Sequence, residues 1–171
     1  MVTNEPIDEG GDPPCWAHLF EEGSDAVSDT VLANLVRGLA DAVLIADNRG
    51  TIVFWNDAAE RLFGWPAAEA IGQTLDLIVP ERLRNRHWEG WHRVIATGET
   101  KYGDSLLEVP AQHREGRPLS IAFTVSLLTE PGGTVTGVAA VFRDDTSRWQ
   151  ERRAQRDEIA RLRAERAEAA E

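Results

Sequence analysis

Apolar residues along this chain keep two rhythms, and the changes between them mark out the elements. Between Ser28 and Ala40 the rhythm is helical: Leu32, Leu35, Val36 and Leu39 repeat at three and four residues, with Ser28 or Asp29 placed to cap the start. Residues 42–56, AVLIADNRGTIVFWN, hold two β-rich runs on either side of Asp47-Asn48-Arg49-Gly50, which predicts a hairpin. Asn56 or Asp57 then opens a short helix that Gly64 ends. Pro66 begins another, and Pro80 opens a longer one that stops at Gly98. Three further strands are expected at 105–113, 118–128 and 134–144. In the middle one Ile121, Phe123, Val125 and Leu127 alternate with smaller or polar residues. After Thr146 the chain lacks Gly and Pro and predicts a helix supported by the pairs Asp157–Arg161 and Arg161–Glu165.

This order predicts an α+β domain: a five-stranded antiparallel sheet with short helices on one face, flanked by N- and C-terminal helices. The expected divisions are an acidic, mostly disordered segment (1–27), an amphipathic helix (28–40), the domain itself (41–146) and a charged C-terminal helix (147–171).

Charge narrows the function classes. The chain has 171 residues and a net charge of −11, of which residues 1–29 contribute −8 and residues 147–171 contribute +1. Without a basic face, direct nucleic-acid binding is not expected, because phosphate contacts supply most non-specific affinity. No apolar run approaches the ~18–20 residues needed to cross a bilayer, and the N-terminus lacks the basic-then-apolar pattern of a secretory signal. With one cysteine, Cys15, a disulfide framework is excluded and a cytoplasmic setting is expected. Cys15, His18 and Glu21 fall three residues apart, but two soft ligands without a second pair seldom hold zinc. That island reads instead as a short amphipathic segment docking Trp16, Leu19 and Phe20.

The residues DAVLIADNRGTIVFWNDAAERLFGWPAAEAIGQ resemble the first half of a PAS domain, and GRPLSIAFTVSLLTEPGGTVTGVAAVFRDDTSR resembles its last two strands. The resemblance covers residues 38–148 and ends in the Asp-x-Thr that passes into a signalling helix. It implies a sensory or dimerisation module (PAS sensor domain, 41–146) with a pocket between sheet and short helices, whose flanking helices carry the signal and pair two protomers. Light-sensing flavin members carry a reactive cysteine in the domain; Cys15 lies outside it, so that chemistry is not expected.

Candidate chemistry concentrates in PERLRNRHWEGWHR (80–93). On a helical wheel Leu83, His87, Gly90, Trp91 and Val94 share one face, which makes His87 the polar member of an apolar stripe and leaves His92 solvated. A neutral imidazole in apolar surroundings is a good axial ligand for haem iron. The run Arg84-Asn85-Arg86-His87 also resembles the haem-binding PAS domains of FixL-type oxygen sensors. That resemblance implies haem b as cofactor, His87 as its iron ligand, Arg93 as partner of a propionate and Lys101 as a second polar contact. Those sensors place an arginine on the following strand. Here the position is Leu107, with Leu106 beside it and Phe123 on the next strand, so the wall is apolar unless Tyr102 supplies a donor. Carbon monoxide, nitric oxide or redox sensing is then as compatible as oxygen sensing.

No phosphate loop, metalloprotease motif or acid–base pair is present, and an enzyme is not expected. The expected function is a PAS sensor acting in trans on a histidine kinase, regulator or phosphodiesterase. The alternatives are a cofactor-free PAS dimerisation adaptor, in which Trp88 and Trp91 fill the pocket, and a flavin-binding redox sensor. A homodimer closed mainly by residues 28–40 is expected, because the C-terminal helix offers only Ile159 and Leu162 beyond Trp149.

Overall fold

The structure, a computed structural model, describes residues 27–100 and 106–168. The Cys15–His18 island, Lys101 and Tyr102 lie outside the described residues. Helix α1 (Asp29–Gly38) starts where Ser28 Oγ accepts the Val31 amide at 3.4 Å. It carries Asp29 in its first turn and Arg37 in its last, each at the end its charge favours. The helix stops at Gly38, so Leu39 lies just past its last turn. No residue of α1 is buried. A division falls between Val36 and Arg37, and the second unit holds the sheet.

That unit runs β1 (Ala42–Asp47), β2 (Ile52–Trp55), α2 (Asp57–Phe63), α3 (Ala67–Ala70), α4 (Arg84–Thr97), β3 (Leu107–Gln112), β4 (Pro118–Thr129), β5 (Val135–Asp144) and α5 (Thr146–Glu168). The strands pair antiparallel in the order β2-β1-β5-β4-β3. The sequence-predicted α+β architecture is therefore observed, with β2 and β3 as the edges. The β1–β2 turn closes because Asp47 Oδ1 accepts the amides of Arg49 and Thr51, each at 2.9 Å. Gly50 follows with φ 81°, a conformation that glycine adopts without steric cost.

Register fixes the inner face. Leu107 faces Phe123, Phe123 faces Phe142, and Phe142 faces Ala42, so one row crosses four strands. Phe123 stacks on Phe142 with ring centroids 5.1 Å apart, and Phe63 of α2 meets Phe142 edge-on at 5.6 Å. Fully buried Ile52 and Phe63 anchor the β2–α2 end of this core.

Three local expectations need correction. Pro80 does not open one continuous helix: a 3₁₀ turn (Glu81–Leu83) comes first, and α4 begins at Arg84 after Leu83 takes φ −108°, ψ −7°. Arg84 stabilises that break by donating to the carbonyls of Val79 and Asp76 at 3.2 and 3.0 Å. Pro66 occupies the N-cap of α3 and not its first turn. On α5, Asp157 lies nearest Arg153 at 3.9 Å, because Arg161 turns to Glu158 (2.8 Å) and Glu165 (3.9 Å).

Asn56 is the polar keystone of the first half. It is 2% exposed; its Oδ1 accepts the amides of Val43 and Ala59, both at 2.9 Å, and its Nδ2 donates to the Asp41 carbonyl at 3.1 Å. One side chain thus caps α2 and ties it to β1. Asn56→Ala leaves two buried amides without acceptors and is expected to cost about 2–4 kcal/mol in urea unfolding. Asn56→Asp keeps both acceptor bonds and should cost clearly less.

Candidate functional site

Helix α4 lies against β5, and two indoles hold it there. Trp91 is buried, and its Nε1 donates to the Asn48 carbonyl in the β1–β2 turn at 3.2 Å. Trp88 Nε1 donates to Asp76 Oδ1 at 2.8 Å, and Asp76 belongs to the 3₁₀ turn Leu75–Leu77. The Trp88 ring also covers Gly50 so closely that a Cβ there would clash with it. The turn glycine therefore serves both the backbone and the seating of the helix. Arg84 Nε stands 3.7 Å from the same Asp76 oxygen.

These contacts set the rotation of α4. Its seam onto the core consists of Trp88, Trp91 and Ile95, whereas the wheel centred it on Leu83, His87, Gly90, Trp91 and Val94. The four other than Trp91 are half-buried beside the seam. The displacement has a physical cause: each indole N–H needs an acceptor when it is buried, and the acceptors sit on the Trp88 side.

His87 lies at the margin of this seam, 5.1 Å from the Trp88 ring and 6.1 Å from Trp91 by ring centroids. Its Nδ1 is shut from solvent and has no hydrogen-bond partner among the described residues. Burial pushes the imidazole below its ordinary value, and the Asp76 charge opposes this without overcoming it. The ring is therefore neutral near physiological pH, which leaves one nitrogen with a free electron pair. His92, expected to be solvated, is exposed.

The other sequence-predicted residues fall into separate places. Leu107 and Phe123 face each other on β3 and β4, inward. Leu106 is 60% exposed, because strand alternation turns it away from Leu107. Arg93 is exposed, and its carbonyl accepts the Thr97 hydroxyl at 2.9 Å. Asp76 and Arg84 support the site without having been singled out as its parts, whereas Trp88 was named beforehand as one of two indoles that could fill the pocket. The one available signal was that an indole on a half-buried helix needs an acceptor nearby.

As a donor set, one neutral imidazole with an unmet nitrogen beside apolar rings can offer a metal a single ligand. It lacks the usual second partner, since a ligating histidine ordinarily bonds its other nitrogen to an acceptor. Among the described residues no cluster of three or more metal-ligating side chains occurs. No helix among them is long and apolar enough to cross a membrane.

Comparison with known proteins agrees with the fold. The profile of the PAS fold family matches residues 31–144. The sensor protein FixL of Bradyrhizobium diazoefficiens is 41% identical over 66 residues, 39% of this chain and 13% of that protein. The oxygen sensor protein DosP of Escherichia coli is 26% identical over 111 residues, 65% of this chain and 14% of that protein. This chain thus spans about a seventh of the length of either relative. Among solved structures, the PAS domain of a Colwellia psychrerythraea protein superposes with a TM-score of 0.61 at 20% identity, over 69% of this chain and 97% of that one.

Unfolded chains protonate His87 near 6.5, while the native ring resists the proton. Unfolded protein then binds more protons, so the stability held by the neutral ring is complete above about pH 7 and is lost as pH falls below about 6. Urea midpoints measured at several pH values should fall on acidification, and His87→Gln should make that fall shallower. Identical slopes for the two proteins would contradict the assignment.

Proposed function

The chain belongs to the PAS family, and from that premise we propose that it is a signal-transduction sensor that takes haem b through His87. In this reading it reports a diatomic gas or redox state in trans through its flanking helices. The observation that carries the proposal is the His87 ring: neutral, half-buried, with a solvent-excluded nitrogen that no group among the described residues satisfies. The likeness to FixL and DosP, a named sensor and a named oxygen sensor, points the same way.

His87 would hold the iron, and Arg93, exposed on the same helix, would meet a propionate with its planar fork. Lys101 and Tyr102 complete the proposed polar contacts. When bound, haem supplies an iron centre that takes a diatomic gas or changes valence. The protein's part is to keep the imidazole unprotonated, to hold α4 in place through Trp88 and Trp91, and to present Leu107 and Phe123 as an apolar wall. That wall offers bound oxygen no hydrogen-bond donor, so carbon monoxide, nitric oxide or redox state suits it equally.

A second reading has its own observation. Trp88 and Trp91 pack into the core beside His87, which favours a cofactor-free dimerisation adaptor. Flavin is the other cofactor alternative. One measurement separates the three: the absorption spectrum of the full chain expressed with haem precursors. A Soret band that His87→Ala abolishes is the expected result. A colourless protein, a flavin spectrum, or a Soret band indifferent to His87→Ala would each overturn haem ligation by His87.

The proposed output is a homodimer closed mainly by residues 28–40, with a histidine kinase, regulator or phosphodiesterase as the partner in trans and the cytoplasm as its setting. The support for pairing is an amphipathic α1 without a buried residue, in which Leu32 and Leu35 are 45% and 58% exposed. Light scattering should give a dimer mass that Leu35→Asp with Leu39→Asp reduces to the monomer. A dimer mass retained by that variant would reject the interface.

A further inference from the structure

Helix α5 leaves the sheet through one fixed turn and one clamp. In the turn, the Thr146 amide donates to Asp144 Oδ1 at 2.9 Å, the Ser120 amide donates to Thr146 Oγ1 at 3.1 Å, and the Trp149 amide donates to the Asp145 carbonyl at 2.9 Å. All of these bonds lie within or next to the first turn of α5. One turn further on, Arg152 closes on two carboxylates from different elements. Its Nη1 and Nη2 donate to Glu108 of β3 at 3.2 and 3.0 Å, and Nη2 also donates to Asp145.

Exposed ion pairs usually contribute little, but this one differs in what it protects. The Asp145 side chain is only 7% exposed, and apart from Arg152 its cationic neighbour is Arg148 at 3.8 Å. If Glu108 drew Arg152 away, that buried carboxylate would lose its better partner. The cost of leaving a buried charge poorly paired therefore links the position of β3 to the position of α5.

Strand β3 is built to use such a link. Among the described residues it is an edge, bonded within the sheet to β4 alone. Its Gln112 end is pinned, the Gln112 amide donating to the Ile78 carbonyl at 2.9 Å, and its Leu107 end carries the Glu108 bonds to Arg152. Consecutive residues point to opposite faces: Leu107 faces inward against Phe123, and Glu108 faces outward to Arg152. Displacement of the inner face by a guest therefore moves the outer carboxylate with the same stretch of backbone. A groove of about 890 Å³, lined by Glu108, Trp149, Arg152 and Ile159 among others, runs beside α5 and gives the helix room to shift.

We propose that Arg152 is the latch that passes movement of β3 at Leu107 to α5, through Glu108 on one side and Asp145 on the other. The purpose of this latch rests on the sensor reading above, but its operation is testable without any cofactor. Amide hydrogen exchange of the full chain provides the readout. Glu108→Gln, at an exposed position, should raise exchange in residues 150–158 about fivefold while β4 and β5 stay protected. Leu107→Ala, a perturbation from the inner face of an edge strand, should also raise exchange in 150–158, and its added effect should vanish in the Glu108→Gln background. Unchanged α5 exchange in Glu108→Gln shows that the clamp does not hold the helix. A Leu107→Ala effect of equal size in both backgrounds shows that the movement takes another route. Either result overturns the latch. A protein without a Soret band that nevertheless shows this coupling would reject haem and keep the latch.

Discussion

The indole of Trp88 donating to Asp76 is the contact on which the seating of the long helix depends. Through it the long helix is tied to the 3₁₀ turn before it, and the ring it orients closes over Gly50 in the first hairpin. Trp91, one turn along, repeats the arrangement with the Asn48 carbonyl. Burying an indole is favourable only if its N–H is satisfied, and a bond to a carboxylate contributes roughly 1.5–3 kcal/mol where a neutral pair contributes about half as much. The rotation of α4 is thus decided by where acceptors lie, and His87 stands where that rotation leaves it.

A similar economy operates at the other end of the domain. Asn56 joins the first hairpin to α2 with three hydrogen bonds from one side chain, and Thr146 joins β4 to the start of α5. Both residues sit where a strand gives way to a helix and the backbone would otherwise leave buried amides without partners. The sheet itself is held by register and by the Leu107–Phe123–Phe142 row. The elements that could change position relative to it, α4 and α5, are attached by a few polar contacts each.

Much of this was legible in the sequence, and the parts that were not share a cause. The Asp47–Gly50 turn, the Asn56 cap, the glycine ends at Gly64 and Gly98 and the alternation of residues 121–127 are local signals, and each is found in place. The wheel for residues 83–94 misplaced the seam because it weighs tryptophan as an apolar residue and ignores its N–H. A hydrogen bond between residues 76 and 88 has no periodicity to reveal it. Arg152 and Glu108 are 44 residues apart, and nothing in either local stretch announces the other. Asp76 and Glu108 each stand as a single carboxylate in their local stretches. Their structural roles follow from the partners that the fold delivers, Trp88 and Arg84 for one and Arg152 for the other.

The unmet nitrogen of His87 is a cost that the fold carries. Leaving a buried polar atom without a partner costs about 1–3 kcal/mol, and an apolar residue at position 87 would avoid that cost. The fold tolerates it because the two indole bonds and the burial of Trp91 act on the same helix and outweigh it. They also oppose any rotation of α4 that would expose the imidazole. A ligand that satisfies the nitrogen therefore gains the interaction without first paying to reorient the helix, whereas a guest that needs the space of Trp88 must break the bond to Asp76. Binding that spares the indoles is favoured by this arrangement over binding that displaces them. A Cβ added at Gly90, within a turn of His87, would meet no atom within 4 Å, so that stretch of the helix carries none of the close packing that the indoles impose.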